Sequence, residues 1–577
     1  MTDIGLRVLK QRLYMRPDDR SFGRTVVAKF RATGVPDTSD RHDDWVAPAF
    51  FNVLAGTPTL SPSIFVDPEP GPGTFGGHLS FDGAPWESLH AAFAGIVVRP
   101  TFAPAGLDGL VEIFGPVAEP GSPPGTLEEL ASYVSIECPP EIDPYAVLKR
   151  LQAAPLVEFV YVSGFDPVPP YQWPPAAGDA DYPGGDRAYL NDVQKSFGQQ
   201  VKVSEEHYIN FVRARITRQF DPDEGLLGDS SLEVATHLKP PSEGGIGALV
   251  AQSSKGSVLG TTGANVRLVD VEQGWAIDHE ALLGLVDDAL LKNTFTITVP
   301  GVGAANPSTQ VSYQGKSHIF FGHGTASLSL LRSRGRLAAA IAPLAKLAVA
   351  SCWHASMAAP DKVTAPDIAA AIAAAAVHIG TAEHGVILIE GQTRLSANGP
   401  FLPVEVEPAV RASIDALTLK RPNIVVVEAA GNGSYELDSL NTYTGKLFAP
   451  SAASSGAVIV GAGVRDEQTG EWRRASFSNY GSRIDCFASG VGVQAAGDGW
   501  LRAHKAWYTP KFGGTSAATA IVAGAAALIF ESKAKTAAEV RAALSEGDTT
   551  KIANTHTKDP TDKIGVMPNV PAILAAP

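Results

Sequence analysis

Five short, largely apolar runs, at residues 266–269, 346–350, 386–389, 424–428 and 457–461, constrain the C-terminal half of this chain more than any other feature. Each is too short for a core helix and too apolar for a strand with one face in water. Each therefore reads as a strand buried on both faces of a parallel sheet. Helices are predicted between them at 367–379 and Pro408–Lys420, where Val410, Ile414 and Leu417 recur at helical spacing. Alternating strands and helices imply an α/β fold, a parallel sheet covered by helices on both faces. Such sheets bind ligands beyond the carboxyl ends of their strands.

A second constraint is the stretch Gly513-Gly514-Thr515-Ser516-Ala517-Ala518-Thr519-Ala520-Ile521-Val522-Ala523-Gly524. Its glycines permit a tight turn, Thr515 is the expected helix cap, and Ser516 falls at the positive end of a helix reaching about Lys533. That helix is apolar on all sides, which suits a buried position. Its stretch 516–530 reads as too short and too weakly apolar to cross a membrane.

At 577 residues the chain exceeds a single domain, and its 45% apolar and 18% charged residues are those of a protein with a large core. The formal net charge of −14 argues against nucleic acid and anionic membranes as partners. A neutral or basic polypeptide, or a small molecule, fits better. Three widely separated cysteines, Cys138, Cys352 and Cys486, imply no disulfide framework. The first twenty residues carry charges throughout and show no secretory signal, so the expected location is the cytoplasm or a compartment reached by a signal-independent route.

Residues 1–165 read as an α+β unit. Strands are expected at Thr25–Phe30, 95–101, Tyr133–Glu137 and Val157–Val162, with a helix at 144–153 capped by Asp143 and opened by Pro144. Proline-rich and glycine-rich stretches at 58–72 and 116–125 read as loops, and 166–190 as an extended linker. Residues 191–245 form a charged lead-in with a candidate helix at 205–220, and the second domain spans 246–577.

Three polar residues, Asp270, Asn432 and Ser516, stand where the sheet rule wants ligands, and His323 is a fourth. Asp270 follows the run 266–269, His323 opens a probable helix in Gly322-His323-Gly324-Thr325, Asn432 follows the run 424–428, and Ser516 opens the buried helix. Together they suffice for acyl transfer: a hydroxyl nucleophile, an imidazole base, a carboxylate to orient it and an amide to stabilise an oxyanion.

From Gly256 to Pro577 the chain resembles the subtilisin-like serine peptidases, the subtilases. Asp270-Val271-Glu272-Gln273-Gly274 resembles the family's aspartate block, His323-Gly324-Thr325 its histidine block, Ala429-Ala430-Gly431-Asn432-Gly433 its oxyanion block, and Gly514-Thr515-Ser516 its serine block. Phe477-Ser478-Asn479-Tyr480-Gly481-Ser482 is also typical of it. The resemblance implies a serine endopeptidase with Asp270, His323 and Ser516 as triad and Asn432 in the oxyanion hole. It further implies a substrate cleft bordered by Glu390, Gly391, Gln392, Ala429, Ala430 and Gly431, with Glu390 able to favour a basic side chain.

No cofactor is expected, calcium is common among the relatives, and the N-terminal unit is expected to be an inhibitory prodomain or an attached regulatory domain. The chain departs from the pattern at Val271-Glu272-Gln273-Gly274, at Ala520 where proline is usual, and at Glu390-Gly391-Gln392. Serine-carboxyl peptidases share the Gly-Thr-Ser block but use a glutamate base and an aspartate oxyanion donor, which His323 and Asn432 argue against. A catalytically idle binding protein on this scaffold is the alternative from another class, and its expected mark, a missing triad member, is absent.

Overall fold

A computed structural model of the chain describes residues 25–30, 64–66, 79–81, most of 89–163 and most of 235–576, with larger gaps at 254–259, 291–296, 306–320, 334–339, 356–363, 498–507, 547–554 and 557–562. The expected linker 166–190 and helix 205–220 lie outside the described residues.

The N-terminal part is a four-stranded antiparallel sheet of β1 (Thr25–Phe30), β2 (Val97–Pro100), β3 (Tyr133–Glu137) and β4 (Val157–Val162), in the order β2-β3-β1-β4. Helices α1 (Leu107–Phe114), α2 (Thr126–Ala131) and α3 (Pro144–Gln152) accompany it. Asp143 Oδ1 accepts from Tyr145 N at 3.0 Å, so the expected cap of α3 is present. Ile64–Val66, expected inside a loop, pairs antiparallel with Leu79–Phe81.

The second part is built on β5 (Val266–Glu272), β6 (Val286–Leu290), β7 (Lys346–Ser351), β8 (His384–Ile389), β9 (Ile424–Ala429), β10 (Val458–Arg465), β11 (Trp472–Arg474), β12 (Cys486–Ser489), β13 (Tyr508–Phe512), β14 (Thr555–His556) and β15 (Val566–Met567). All but β13 join one sheet in the order β14-β15-β12-β10-β9-β8-β5-β7-β6, with β11 beside β10. Its central pairs are parallel; only the β10–β11 and β14–β15 pairs are antiparallel. The five predicted apolar runs all lie in this sheet, between β7 and β10.

One face packs on α4 (Phe321–Leu331), α7 (Gly514–Ser532) and α8 (Ala537–Ser545). The other packs on α5 (Ile368–Ile379) and α6 (Pro408–Lys420). Alternation along β5 sorts its side chains: Val269 and Val271 join the core on the α5–α6 side, and Leu268 the core on the opposite side. The 19-residue α7 is long and apolar enough to cross a membrane by length and composition, contrary to the expectation from 516–530. It lies instead across the sheet, buried from Gly514 to Phe530.

The two parts share a core, since Tyr133, Tyr161 and Leu110 pack into the cluster that contains α5 and α6. Tyr133 Oη donates to Pro408 O at 3.3 Å, and Ala409 N donates to Tyr161 Oη at 3.3 Å. Both bonds fall on the first turn of α6, and the second takes up an N–H that the helix ladder leaves over. All three cysteines are buried and unpaired with one another.

Candidate functional site

The strand β5 runs three residues further than its apolar run suggested, through Asp270 to Glu272. Because strand side chains alternate, residues 270 and 272 share a face, and only Glu272 reaches the carboxyl edge of the sheet. Helix α4 begins there, with His323 in its first turn. Glu272 Oε2 lies 2.6 Å from His323 Nδ1, a charge-assisted hydrogen-bond distance.

Asp270 does not take that place, which corrects the expectation from the aspartate block. Its Oδ2 accepts from Trp275 Nε1 at 2.7 Å, two residues back along β5 from Glu272. Burial pushes the Asp270 carboxyl well above its ordinary range, the nearby Glu272 adds to the shift, and the Trp275 bond opposes it. The signal that pointed to Glu272 was Gly274: relatives carry Ser or Thr and then Gly directly after their acid, and here Gln273-Gly274 follows Glu272. The glycine of His323-Gly324 has a local cause. A Cβ on Gly324 would meet Gly274 O at 2.3 Å and Glu272 Cγ at 2.9 Å, so only glycine lets α4 approach the end of β5.

Ser516 sits in the first turn of α7, its N–H among those without a partner in the helix ladder. Gly514, at φ +82°, makes the turn into this helix. Asn432 follows β9, and its Oδ1 accepts from Thr515 N at 2.9 Å and from Thr515 Oγ1 at 3.0 Å. Thr515 is therefore an anchor for Asn432 rather than a helix cap. Because two donors claim Oδ1, the amide orientation is fixed and Nδ2 remains as a donor. Asn432 N donates in turn to Gln392 Oε1 at 3.0 Å. Helices α4 and α7 pack on each other, and the Phe512 ring, just before the serine turn, meets the His323 ring edge-on with centroids 5.5 Å apart. Ser516, Asn432 and His323 thus come from distant parts of the chain to one end of the sheet.

The expected cleft residues divide. Gly391 and Gln392 are partly exposed beside Asn432. Ala429, Ala430 and Gly431 are held by backbone bonds: Ala430 N donates to Val460 O at 2.9 Å, and Gly431 O accepts from Asn479 N at 3.0 Å. Glu390 is buried, its side chain 0% exposed, with Oε2 against Ser327 Oγ and 3.5 Å from His323 Nδ1. It faces the imidazole from inside the core, so it cannot select a basic substrate side chain from a cleft.

Residues 322–560 match the subtilase family model, a span that opens one residue before His323 and includes Asn432 and Ser516. The likeness to the subtilases lies in this stretch. A curated subtilase relative, Subtilisin-like protease 2 of Pseudogymnoascus destructans, is 39% identical over 107 residues, 18% of this chain; the match spans 22% of that protein's length. Among solved structures, a cold-adapted subtilisin-like serine proteinase is 16% identical, covering 53% of this chain and 89% of its own, with a TM-score of 0.34. Sphericase is 21% identical, covering 56% and 97%, with a TM-score of 0.37.

Subtilases often bind calcium, an ion that takes six to eight oxygen ligands. Among the described residues the one cluster of three or more ligating groups is Glu272, His323 and Glu390. It offers an imidazole nitrogen and too few oxygens, so it does not fit calcium. Zinc fits no better: ligands about 2 Å from a tetrahedral metal stand roughly 3.3 Å apart, wider than the 2.6 Å between Nδ1 and Oε2.

The block around Asn479 fixes the loop that carries Asn432. Asn479 Nδ2 donates to Phe401 O at 2.7 Å and Ala430 O at 2.6 Å, and its Oδ1 accepts from Tyr435 N at 2.8 Å. Replacing Asn479 by leucine strands these buried groups. We expect a loss of about 3 kcal/mol in stability, measured by urea unfolding, together with a fall in turnover as the loop carrying Asn432 loosens.

Proposed function

We propose that the subtilase domain is a serine endopeptidase in which Ser516 is the nucleophile, His323 the base and Glu272 the carboxylate that orients it. The observation that carries this reading is the Glu272–His323 hydrogen bond at 2.6 Å, on a helix packed against the one that carries Ser516 in its first turn. The carboxylate holds the Nδ1–H tautomer, leaving Nε2 as the basic nitrogen.

In the proposed reaction the Ser516 hydroxyl proton passes to His323 Nε2 as Oγ attacks the scissile carbonyl carbon. The oxyanion is stabilised by Asn432 Nδ2 and the Ser516 N–H, both at the positive end of α7. Collapse expels the amine, which takes the proton from the imidazolium. Water then repeats the sequence on the acyl-enzyme and frees the serine. The net charge of −14 favours neutral or basic polypeptides as substrates.

Asn432→Ala is expected to lower kcat by on the order of 10² to 10³ with little change in KM, because the oxyanion exists only beyond the ground state. Steady-state kinetics on a fluorogenic peptide tests this. A fluorophosphonate probe tests the reading as a whole: a single adduct on Ser516 supports it, and an unreactive native protein contradicts it.

The N-terminal sheet is proposed as an intramolecular restraint. A chain of contacts from that sheet to the oxyanion loop supports it. Ser163 Oγ, at the end of β4, donates to Glu407 Oε2 at 3.0 Å, and Thr393 Oγ1 donates to Glu407 Oε1 at 2.7 Å. Thr393 adjoins Gln392, which holds Asn432.

A further inference from the structure

Glu390 stands outside the triad, yet its Oε2 lies 3.5 Å from His323 Nδ1. Its surroundings define its protonation state by proton counting. Ser327 Oγ is within hydrogen-bond reach of two oxygens, the His323 carbonyl at 3.1 Å and Glu390 Oε2. A hydroxyl has one proton, and the carbonyl has none to give. Both bonds are satisfied together only if Ser327 donates to the His323 carbonyl and Glu390 donates to Ser327.

The second oxygen points the same way. Glu390 Oε1 is buried with no hydrogen-bond partner. A bare carbonyl oxygen of a neutral acid tolerates that far better than half of a carboxylate. The charged and titratable groups facing Glu390 are Asp270 and Glu272 from β5 and His323 from α4. One imidazole cannot compensate three buried anions. Burial, then Asp270 and Glu272, push the Glu390 carboxyl well above its ordinary range.

We propose that Glu390 is a positioning residue held as a neutral carboxylic acid, which donates through Ser327 to the His323 backbone and braces the imidazole without adding a second charge beside Nδ1. The inference rests on His323 being the base. A second anion there would strengthen the imidazolium and slow return of its proton to the leaving group. A neutral acid avoids this while fixing the first turn of α4. The hydrogen-bonded chain Glu390–Ser327–His323 is thus a second support for the histidine, orthogonal to the one from Glu272.

The test combines infrared difference spectroscopy with kinetics on the full chain. Subtracting the Glu390→Gln spectrum from that of the native protein at neutral pH is expected to reveal a protonated-carboxyl carbonyl band. Glutamine can donate to Ser327 as the acid does, so this variant is expected to lose only about threefold in kcat and to keep the acid limb of its pH profile. Glu390→Ala is expected to lose about 10²-fold in kcat with KM little changed. No band, or an acid limb moved down by about one pH unit or more in Glu390→Gln, overturns the proposal, since either means an anion was removed. Full activity in Glu390→Ala overturns it too. The band needs no turnover. A native protein that shows it but hydrolyses no peptide therefore exposes a failure of the peptidase reading alone.

Discussion

Ser516→Ala is expected to reduce peptide hydrolysis by about 10⁶-fold, the scale seen when a serine peptidase loses its nucleophile. The loss is this large because the remaining groups have nothing to activate. His323 keeps its partner and Asn432 its anchors, yet no acyl-enzyme can form. A residual rate some 10³ above water is expected from the oxyanion donors and binding alone. The variant should melt within a few degrees of the native protein, since alanine suits a helix start packed among Ala517, Ala518 and Ala520. Intact-mass analysis of the two proteins after fluorophosphonate treatment separates chemistry from folding: an adduct on the native chain, none on Ser516→Ala. The same masses report whether the N-terminal part is removed in a manner that depends on the serine.

The second large effect distinguishes two acids that are neighbours in sequence. Glu272→Gln is expected to lower kcat by on the order of 10³ to 10⁴, because an amide facing Nδ1 no longer fixes the productive tautomer or stabilises the imidazolium. Asp270→Asn is expected to lose less than about tenfold, because Asp270 touches Trp275 and not His323. Its stability effect has the opposite sign. Burial raises the Asp270 carboxyl above its ordinary 3.8 in the folded protein. The stability tied to that proton is complete below the unfolded value and is lost as pH rises through the folded one. Asparagine does not titrate, so Asp270→Asn should gain in melting temperature relative to the native protein as pH rises from 4 toward neutrality. Paired melts across that range measure it.

These two acids also show how far the sequence could be read. The parallel sheet was legible because β7, β8, β9 and β10 are nearly continuous apolar runs, a pattern only a doubly covered sheet needs. His323 and Asn432 stand between glycines, and Ser516 follows the Gly513-Gly514 turn, which is why the sequence singles these three out. Asp270 misled because it is the first polar residue after the apolar run, whereas β5 continues through Asp270 and Glu272 to the sheet's edge. The end of a strand is set by where its partners stop, here β7 pairing through Ser351 with Glu272, and that register is not written in β5 itself. Glu390 misled for a related reason. Its charge suggested a cleft wall, but the strand it follows delivers it behind His323, where Ser327 from the next turn of α4 receives it.

The most direct measurement of the central claim is proton NMR of the His323 ring in ¹⁵N-labelled protein. The Nδ1 proton, held at 2.6 Å between imidazole and Glu272, is expected as a far-downfield resonance. The account predicts that it persists in Asp270→Asn and disappears in Glu272→Gln. A resonance kept in Glu272→Gln and lost in Asp270→Asn would contradict it and return Asp270 to the triad.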